Sequence, residues 1–250
     1  MFAALSAAAE APLVIPHWAW GAFLGFVGLM LALDLGVFKK NSNEAPSFKE
    51  AVAWCVVWVS LAVAFGFLLS AWRGPEDAEL FAAGYVLELA LSVDNLFIFI
   101  LVFAHFGIPE RLQHRVLFWG ILGAVAMRAV FIVAGIAAVD RFALLLPLFG
   151  AFLLFTGLKM AFAGDEHGGK GVEENFVVRM VRRFLPVTNR LHGEAFVALE
   201  DGRRVFTPLF VVLLVIESTD LLFAIDSIPA VLSVSQETFI MVTSNIFAIM

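Results

Sequence analysis

The feature that most constrains this chain is a series of unbroken apolar runs, each about 20 residues long, recurring from residue 17 onward. At about 1.5 Å per residue such a run matches the roughly 30 Å hydrocarbon core of a bilayer. The runs lack the alternation over about ten residues that marks an outer-membrane strand. A segment in lipid must satisfy its own backbone amides, so each run is expected to be a helix. Composition agrees. Of the 250 residues 62% are hydrophobic and 15% charged, and mean hydropathy is +0.94, which excludes an ordinary water-soluble domain. The expected fold class is all-α, a polytopic membrane helix bundle of about seven spans.

The runs place spans at 17–38, 51–72, 81–105, 115–138, 142–163 and 207–232, with a seventh beginning near Thr238. The stretch from Thr238 to Met250 is too short to cross the bilayer, so the chain is expected to be part of a longer protein whose last helix continues. Three segments result: a first membrane segment 1–163, a loop 164–206 and a second membrane segment 207–250. Met1 to Ala11 carries no Lys or Arg, so the first span, rather than a cleaved signal peptide, is expected to direct insertion. Cys55 is the only cysteine, which excludes a disulfide or a thiolate metal cluster within one chain.

The bases orient the spans. Of the 16 Lys and Arg, Arg128 lies within a span, Arg73 and Arg141 lie on one set of loops, and the remaining thirteen lie on the other set. The positive-inside rule then puts the N-terminus outside an inner membrane, with Trp18, Trp20 and Trp72 at outer helix ends. The long loop opens with Gly164-Asp-Glu-His-Gly-Gly-Lys-Gly171, a linker composition without the spacing or hydroxyl of a phosphate-binding loop. From Asn175 to Leu185, Phe176, Val177, Met180, Val181 and Phe184 alternate at helical spacing with Arg179, Arg182 and Arg183. This basic amphipathic helix is expected to lie on the anionic cytoplasmic leaflet, with docking of a protein partner as the other reading. Asp201-Gly202 between two short apolar runs predicts a hairpin.

The chemistry sits inside the spans, where Asp34, Glu88, Asp94, Glu217, Asp220 and Asp226 occur together with Arg128. Each such residue costs roughly 2.5 to 3.5 kcal/mol at a helix centre, so they are expected to face a wet or paired interior. Pairing with Arg128 is expected for one acid, yet one guanidinium cannot balance six carboxylates. Asp34, four residues before the end of its span, can also reach the inner headgroup layer.

Two acidic segments align without gaps. Glu88-Leu-Ala-Leu-Ser-Val-Asp94-Asn95-Leu matches Asp220-Leu-Leu-Phe-Ala-Ile-Asp226-Ser227-Ile in character at nine positions. The topology makes the two copies antiparallel, which is the arrangement of inverted repeats around a midplane ion site. At 100° per residue Glu88 shares a face with Asn95 and Asp220 with Ser227, while Asp94 and Asp226 lie about 120° away. Pro229 cannot donate to the Ile225 carbonyl, so the sixth span is expected to kink or open at Asp226. Glu217, three residues before Asp220, can join as ligand or proton carrier. Carboxylate, amide, hydroxyl and carbonyl oxygens are hard donors that suit Mn²⁺, Mg²⁺ or Ca²⁺. No histidine lies in either repeat, and His105 and His114 read as interfacial residues. The candidate metal ligands are thus Glu88, Asp94, Asn95, Glu217, Asp220, Asp226 and Ser227.

At these residues the chain resembles the TerC family of integral membrane proteins, named for tellurite resistance and including the Alx-type manganese exporters. The resemblance rests on Glu88-Leu-Ala-Leu-Ser-Val-Asp-Asn, Gly150-Ala-Phe-Leu-Leu-Phe-Thr-Gly-Leu-Lys-Met, Asp220-Leu-Leu-Phe-Ala-Ile-Asp-Ser-Ile-Pro and Thr243-Ser-Asn-Ile-Phe-Ala-Ile, and runs from Trp20 onward. It implies further spans beyond this chain and Mn²⁺ efflux from the cytosol, with Ca²⁺ as a second candidate ion. It places the ion site at Glu88, Asp94, Asp220 and Asp226. The expected partners are the divalent ion and the lipid bilayer, and no nucleic acid. A transporter, not an enzyme, is the leading expectation. The alternatives are a non-transporting scaffold that docks partners on the 164–206 loop and an intramembrane hydrolase using two aspartates.

Overall fold

The structure, a computed structural model, describes residues 15–40, 48–142, 144–162 and 176–250. The N-terminal stretch Met1 to Ala11 and the glycine-rich 164–171 linker lie outside the described residues, as do the side chains of Asp34, Asp94, Asp226 and Arg182. The described chain is overwhelmingly helical: α1 His17–Lys40, α2 Phe48–Arg73, α3 Pro75–Phe106, α4 Glu110–Arg141, α5 Leu145–Phe162, α6 Phe176–Phe184, then strands β1 Val197–Glu200 and β2 Arg203–Phe206, and finally α7 Pro208–Val234 and α8 Thr238–Ile249. Each predicted span corresponds to one helix. Four of them, α2, α3, α4 and α7, are long and apolar enough to cross a membrane. The molecule is a polytopic membrane helix bundle. α1 belongs to a unit of its own, residues 1–41, and Ser42–Met250 form the other.

Large apolar side chains point away from the second unit: Val63 and Phe67 on α2 and Phe97 and Leu101 on α3 are all exposed. In water that surface would be a liability, whereas lipid tails solvate it without penalty. With lipid as solvent, apolar burial no longer drives helices together, and close packing, aromatic contacts and polar pairs must do so. At one end Arg73 Nε donates to Asp77 Oδ2 at 2.5 Å and Arg73 Nη2 lies 3.5 Å from Glu237 Oε1, tying the α2–α3 turn to the start of α8. Glu237 also caps α8, with Oε2 accepting from the Phe239 and Ile240 amides at 2.8 and 3.2 Å. Phe65, Phe81 and Phe247 meet below this point with centroids 5.1 to 5.8 Å apart, joining α2, α3 and α8.

At the opposite end the last turns of α3 (Val102, Phe103), the first turns of α4 (Leu112, Val116) and the start of α7 (Leu209, Val212) form one buried cluster. The C-terminal end of α3 therefore meets the N-terminal end of α7, and the two acidic helices run antiparallel as their sequences predict. α3 and α4 have 32 residues each, about 48 Å, and their surplus length over the hydrocarbon core carries this end beyond it or is taken up by tilt. α6 buries Val178 and Val181 in the same cluster and leaves Met180 and Phe184 exposed. The amphipathic helix therefore packs one apolar stripe on the bundle, and only its second stripe is free for the leaflet or a partner.

The hairpin forms as Asp201-Gly202 predicts, with φ of 50° and 75° at the two turn residues, the pair of positive angles a two-residue turn needs. It is stitched to the segment before it: Phe206 N donates to Pro186 O at 2.8 Å and Thr207 Oγ1 to Ala195 O at 2.7 Å. Glu200 lies 2.7 Å from His192 Nε2 and accepts from Thr188 Oγ1 at 3.0 Å. These bonds, that of His192 first, hold the Glu200 carboxyl below its usual range.

α7 differs from its expectation in one respect. It remains a helix from Pro208 through Pro229 to Val234, so the opening expected at Asp226 does not occur. The proline ring still deprives the Ile225 carbonyl of the amide donor four residues on. Continuity survives because α7 is packed along its length by α3, α4 and α5, and that packing outweighs one lost bond.

A candidate ion site at a buried arginine

α4 buries every fourth residue from Leu112 through Val116, Gly120, Ala124, Arg128, Ile132 and Ile136. This is an i±4 ridge, and it lies against α7 and α8. Two small residues precede the arginine on that ridge, which lets the neighbouring backbones come close. Arg128 is thereby delivered into the middle of the bundle, where its side chain is 3% exposed.

Three other helices converge on its guanidinium. Nη1 donates to Glu88 Oε1 of α3, Nη2 donates to Asp220 Oδ1 of α7 at 3.2 Å, and Nη1 reaches Asn245 Oδ1 of α8 at 3.4 Å. Glu88 and Asp220 are the first acids of the two sequence repeats, and both are buried. Their oxygens are only half used. Among the described residues Glu88 Oε2, Asp220 Oδ2, Asn95 Oδ1, Asn245 Nδ2 and Arg128 Nε are buried without a hydrogen-bond partner. Two carboxylates and one guanidinium also leave the cluster with a formal charge of −1, an arrangement that buried polar groups do not tolerate without a further cation or proton.

As their seven-residue spacing predicts, Glu88 and Asn95 are both buried on α3, and Asp220 and Ser227 are both buried on α7. Ser227 Oγ donates to Ala224 O at 3.4 Å, leaving its lone pairs as acceptors. Asp94 and Asp226 lie within α3 and α7, but their side chains are outside the described residues, as is that of Asp34. Glu217 sits one helical turn from Asp220, half-buried, with its carboxylate packed against Gly123 of α4. A side-chain carbon at position 123 would stand 2.5 Å from Glu217 Cδ and Oε2, so only glycine leaves the carboxylate this seat. α3 and α8 approach as closely where Gly84 faces Ser244 Oγ, 2.7 Å from where a Cβ would be. His105 and His114 lie near the adjoining ends of α3 and α4, away from the cluster. Among the described residues no group of three His, Cys, Asp or Glu side chains is gathered to hold a metal.

The cluster departs from the sequence expectation at two residues. Arg128 bridges two acids where one was expected, and Asn245 supplies a fourth helix to the cluster. The signal for Asn245 was present: it is an amide inside the apolar run Phe239–Met250, and the cost argument applied to the carboxylates applies to it as well.

No solved structure matches this chain. Among curated proteins it is 46% identical over 231 residues, 92% of this chain and 72% of that protein, to "Uncharacterized membrane protein STKORF319" of Myxococcus xanthus. It is 40% identical over 239 residues, 92% of this chain and 74% of that protein, to the "Putative membrane-bound redox modulator Alx" of Escherichia coli K12. The Rickettsia felis relative, named only as a membrane protein, is 37% identical over 231 residues, 92% of this chain and 76% of that protein. The model of the integral membrane protein TerC family matches residues 73–250, which include all four helices around Arg128, and the chain belongs to that family.

Proposed function

We propose that the protein is a secondary transporter that exports Mn²⁺ from the cytosol across the inner membrane, with Ca²⁺ as a competing substrate and protons as the exchanged ion. The observation that carries this reading is the pair of buried acids, Glu88 and Asp220, presented by antiparallel helices and each retaining an unpartnered oxygen. Hard oxygen donors on inverted repeats suit a small divalent cation that must be bound and then released to the other side. Asp94, Asn95, Glu217, Asp226 and Ser227 complete the ligand set in this proposal. Thirteen bases against two orient the N-terminus outward, so export runs from the Lys- and Arg-rich side.

The name of the Alx relatives speaks of redox modulation. In this chain the only sulfhydryl, Cys55, is exposed on α2 and can make no disulfide within the chain. A scaffold role is favoured by one feature, the exposed Met180 and Phe184 beside Arg179 and Arg183 on α6. Mn²⁺ efflux from proteoliposomes separates the readings. Wild type should export, and Glu88→Gln, Asp220→Asn, Asp94→Asn and Asp226→Asn should each lose most of the flux at matched protein levels. Absence of flux in the wild type, or flux unchanged in all four variants, would overturn export in favour of the scaffold.

A further inference from the structure

Arg128 places a permanent positive charge where the proposed substrate ion would bind. A guanidinium remains protonated at any working pH, and this one already occupies one oxygen of each repeat acid. It comes from α4, which bears neither acidic motif, and Asn245 Oδ1 supports it from α8. The two acids turn their other oxygens, Glu88 Oε2 and Asp220 Oδ2, to no partner among the described residues, and Asn95 Oδ1 behaves in the same way. A purely structural ion pair would be expected to use its acceptors fully and to balance its charge. This cluster leaves acceptors unused and, with both acids ionised, carries a formal charge of −1.

We infer that Arg128 is a tethered competitor of the transported cation: it neutralises Glu88 and Asp220 while the site is unloaded, and a divalent ion gains both carboxylates only by displacing the guanidinium from them. The inference rests on the transport reading and adds a specificity residue to it. The residual charge of −1 draws a cation toward the free oxygens. Displacement then requires an ion with more than one positive charge, because a monovalent ion offers the two acids no more charge than Arg128 already does. Arg128 thus selects against Na⁺ and K⁺ and keeps the two acids from forming an open leak. Glu217, held against Gly123 one turn nearer the basic end of α7, is the acid an incoming ion would meet before the Arg128 pair.

The test is equilibrium binding of Mn²⁺ to the full chain in lipid nanodiscs, with Na⁺ as the monovalent probe, for wild type, Arg128→Gln and Arg128→Lys. Removing one unit charge roughly 4 Å from a divalent ion at an effective dielectric constant near 20 should tighten the Mn²⁺ Kd by several orders of magnitude and make Na⁺ a measurable competitor. Arg128→Lys keeps the buried charge on which folding depends but cannot bridge two carboxylates in parallel, so it should show a smaller gain in the same direction. A structural role predicts weaker binding in both variants. If Arg128→Gln does not fold, Arg128→Lys decides, and unchanged or weaker binding there overturns the inference. Mn²⁺ bound by wild type but no more tightly by either variant sinks the competitor and leaves export standing. No Mn²⁺ binding by folded wild type sinks both.

Discussion

The charge at the Arg128 cluster makes opposite demands on its members, and stability measurements can separate them. Changing Arg128 to Gln leaves Glu88 and Asp220 facing each other with a formal charge of −2 at a place where both side chains are buried. Breaking a buried ion pair by removing one partner costs about 3–5 kcal/mol, because the other charge is stranded. Changing Glu88 to Gln acts differently. The amide oxygen still accepts from Arg128, Asp220 remains as an equal counter-charge, and the formal charge of the cluster falls from −1 to zero. The loss is then an ion-pair bond replaced by a guanidinium-to-amide hydrogen bond, about 1 kcal/mol. For a chain of this size about 1 kcal/mol moves Tm by roughly 2–4 °C. Arg128→Gln should therefore lower Tm by about 6–20 °C and Glu88→Gln by about 2–4 °C. Melting of detergent-purified protein, read as the surviving size-exclusion peak after heating, measures both. A Glu88→Gln loss as large as that of Arg128→Gln would refute the charge argument and make Glu88 a packing residue.

Gly123→Ala should preserve the fold but displace the Glu217 carboxylate, lowering Mn²⁺ flux. The clash is with the end of a flexible side chain, so it is relieved by moving the carboxylate and costs little stability, and a double-mutant cycle of flux with Glu217→Gln should show strong non-additivity. Gly120→Ala, whose Cβ would stand 3.3 Å from Ile216 Cγ2, is the milder control. On the hairpin, Glu200 has a lowered folded pKa, so its contribution is present above the ordinary carboxylate pKa of about 4.3 and is lost as pH falls through the folded value. Amide exchange across Val197–Phe206 should therefore accelerate only below that range, and His192→Ala should move the onset upward. An onset unchanged by His192→Ala would deny the His192 bond its role.

Much of this architecture was legible because a membrane narrows the alternatives. An apolar run must become a helix, and its length follows from bilayer thickness, so spans read as 51–72 and 115–138 reappear within α2 and α4. The antiparallel relation of the acidic helices was legible for the same reason, since the number of crossings between them fixes direction. The partners of a polar residue were not legible. Arg128 could have met any of six acids, and the choice of Glu88 and Asp220 depends on which ridge of α4 packs on α7 and α8. Hydropathy is high around the whole circumference of α4, so no amphipathic stripe announces that ridge in the sequence. The opening expected near Asp226 and Pro229 does not occur, for a related reason. Local chemistry identifies a missing amide, but whether the helix yields depends on what holds it from outside.

The asymmetry of the cluster carries a consequence that the repeats alone would hide. Each acidic helix is followed by a helix that brings one polar side chain back to the centre: α4 after α3 brings Arg128, and α8 after α7 brings Asn245. Had both been arginine, the two acids would be neutralised and their oxygens consumed, giving a stable bundle with nothing to offer an ion. Had both been asparagine, two buried carboxylates would face each other with no fixed positive charge, and the unloaded bundle would be strongly destabilised. One of each leaves a deficit of one positive charge and a set of half-used oxygens, a state stable enough to persist and unsatisfied enough to bind. On this argument Asn245→Arg should produce the better-folded and less active protein. Higher Tm together with lost Mn²⁺ flux is the expected pair of results, and retained flux in that variant would show that the charge deficit is not what recruits the ion.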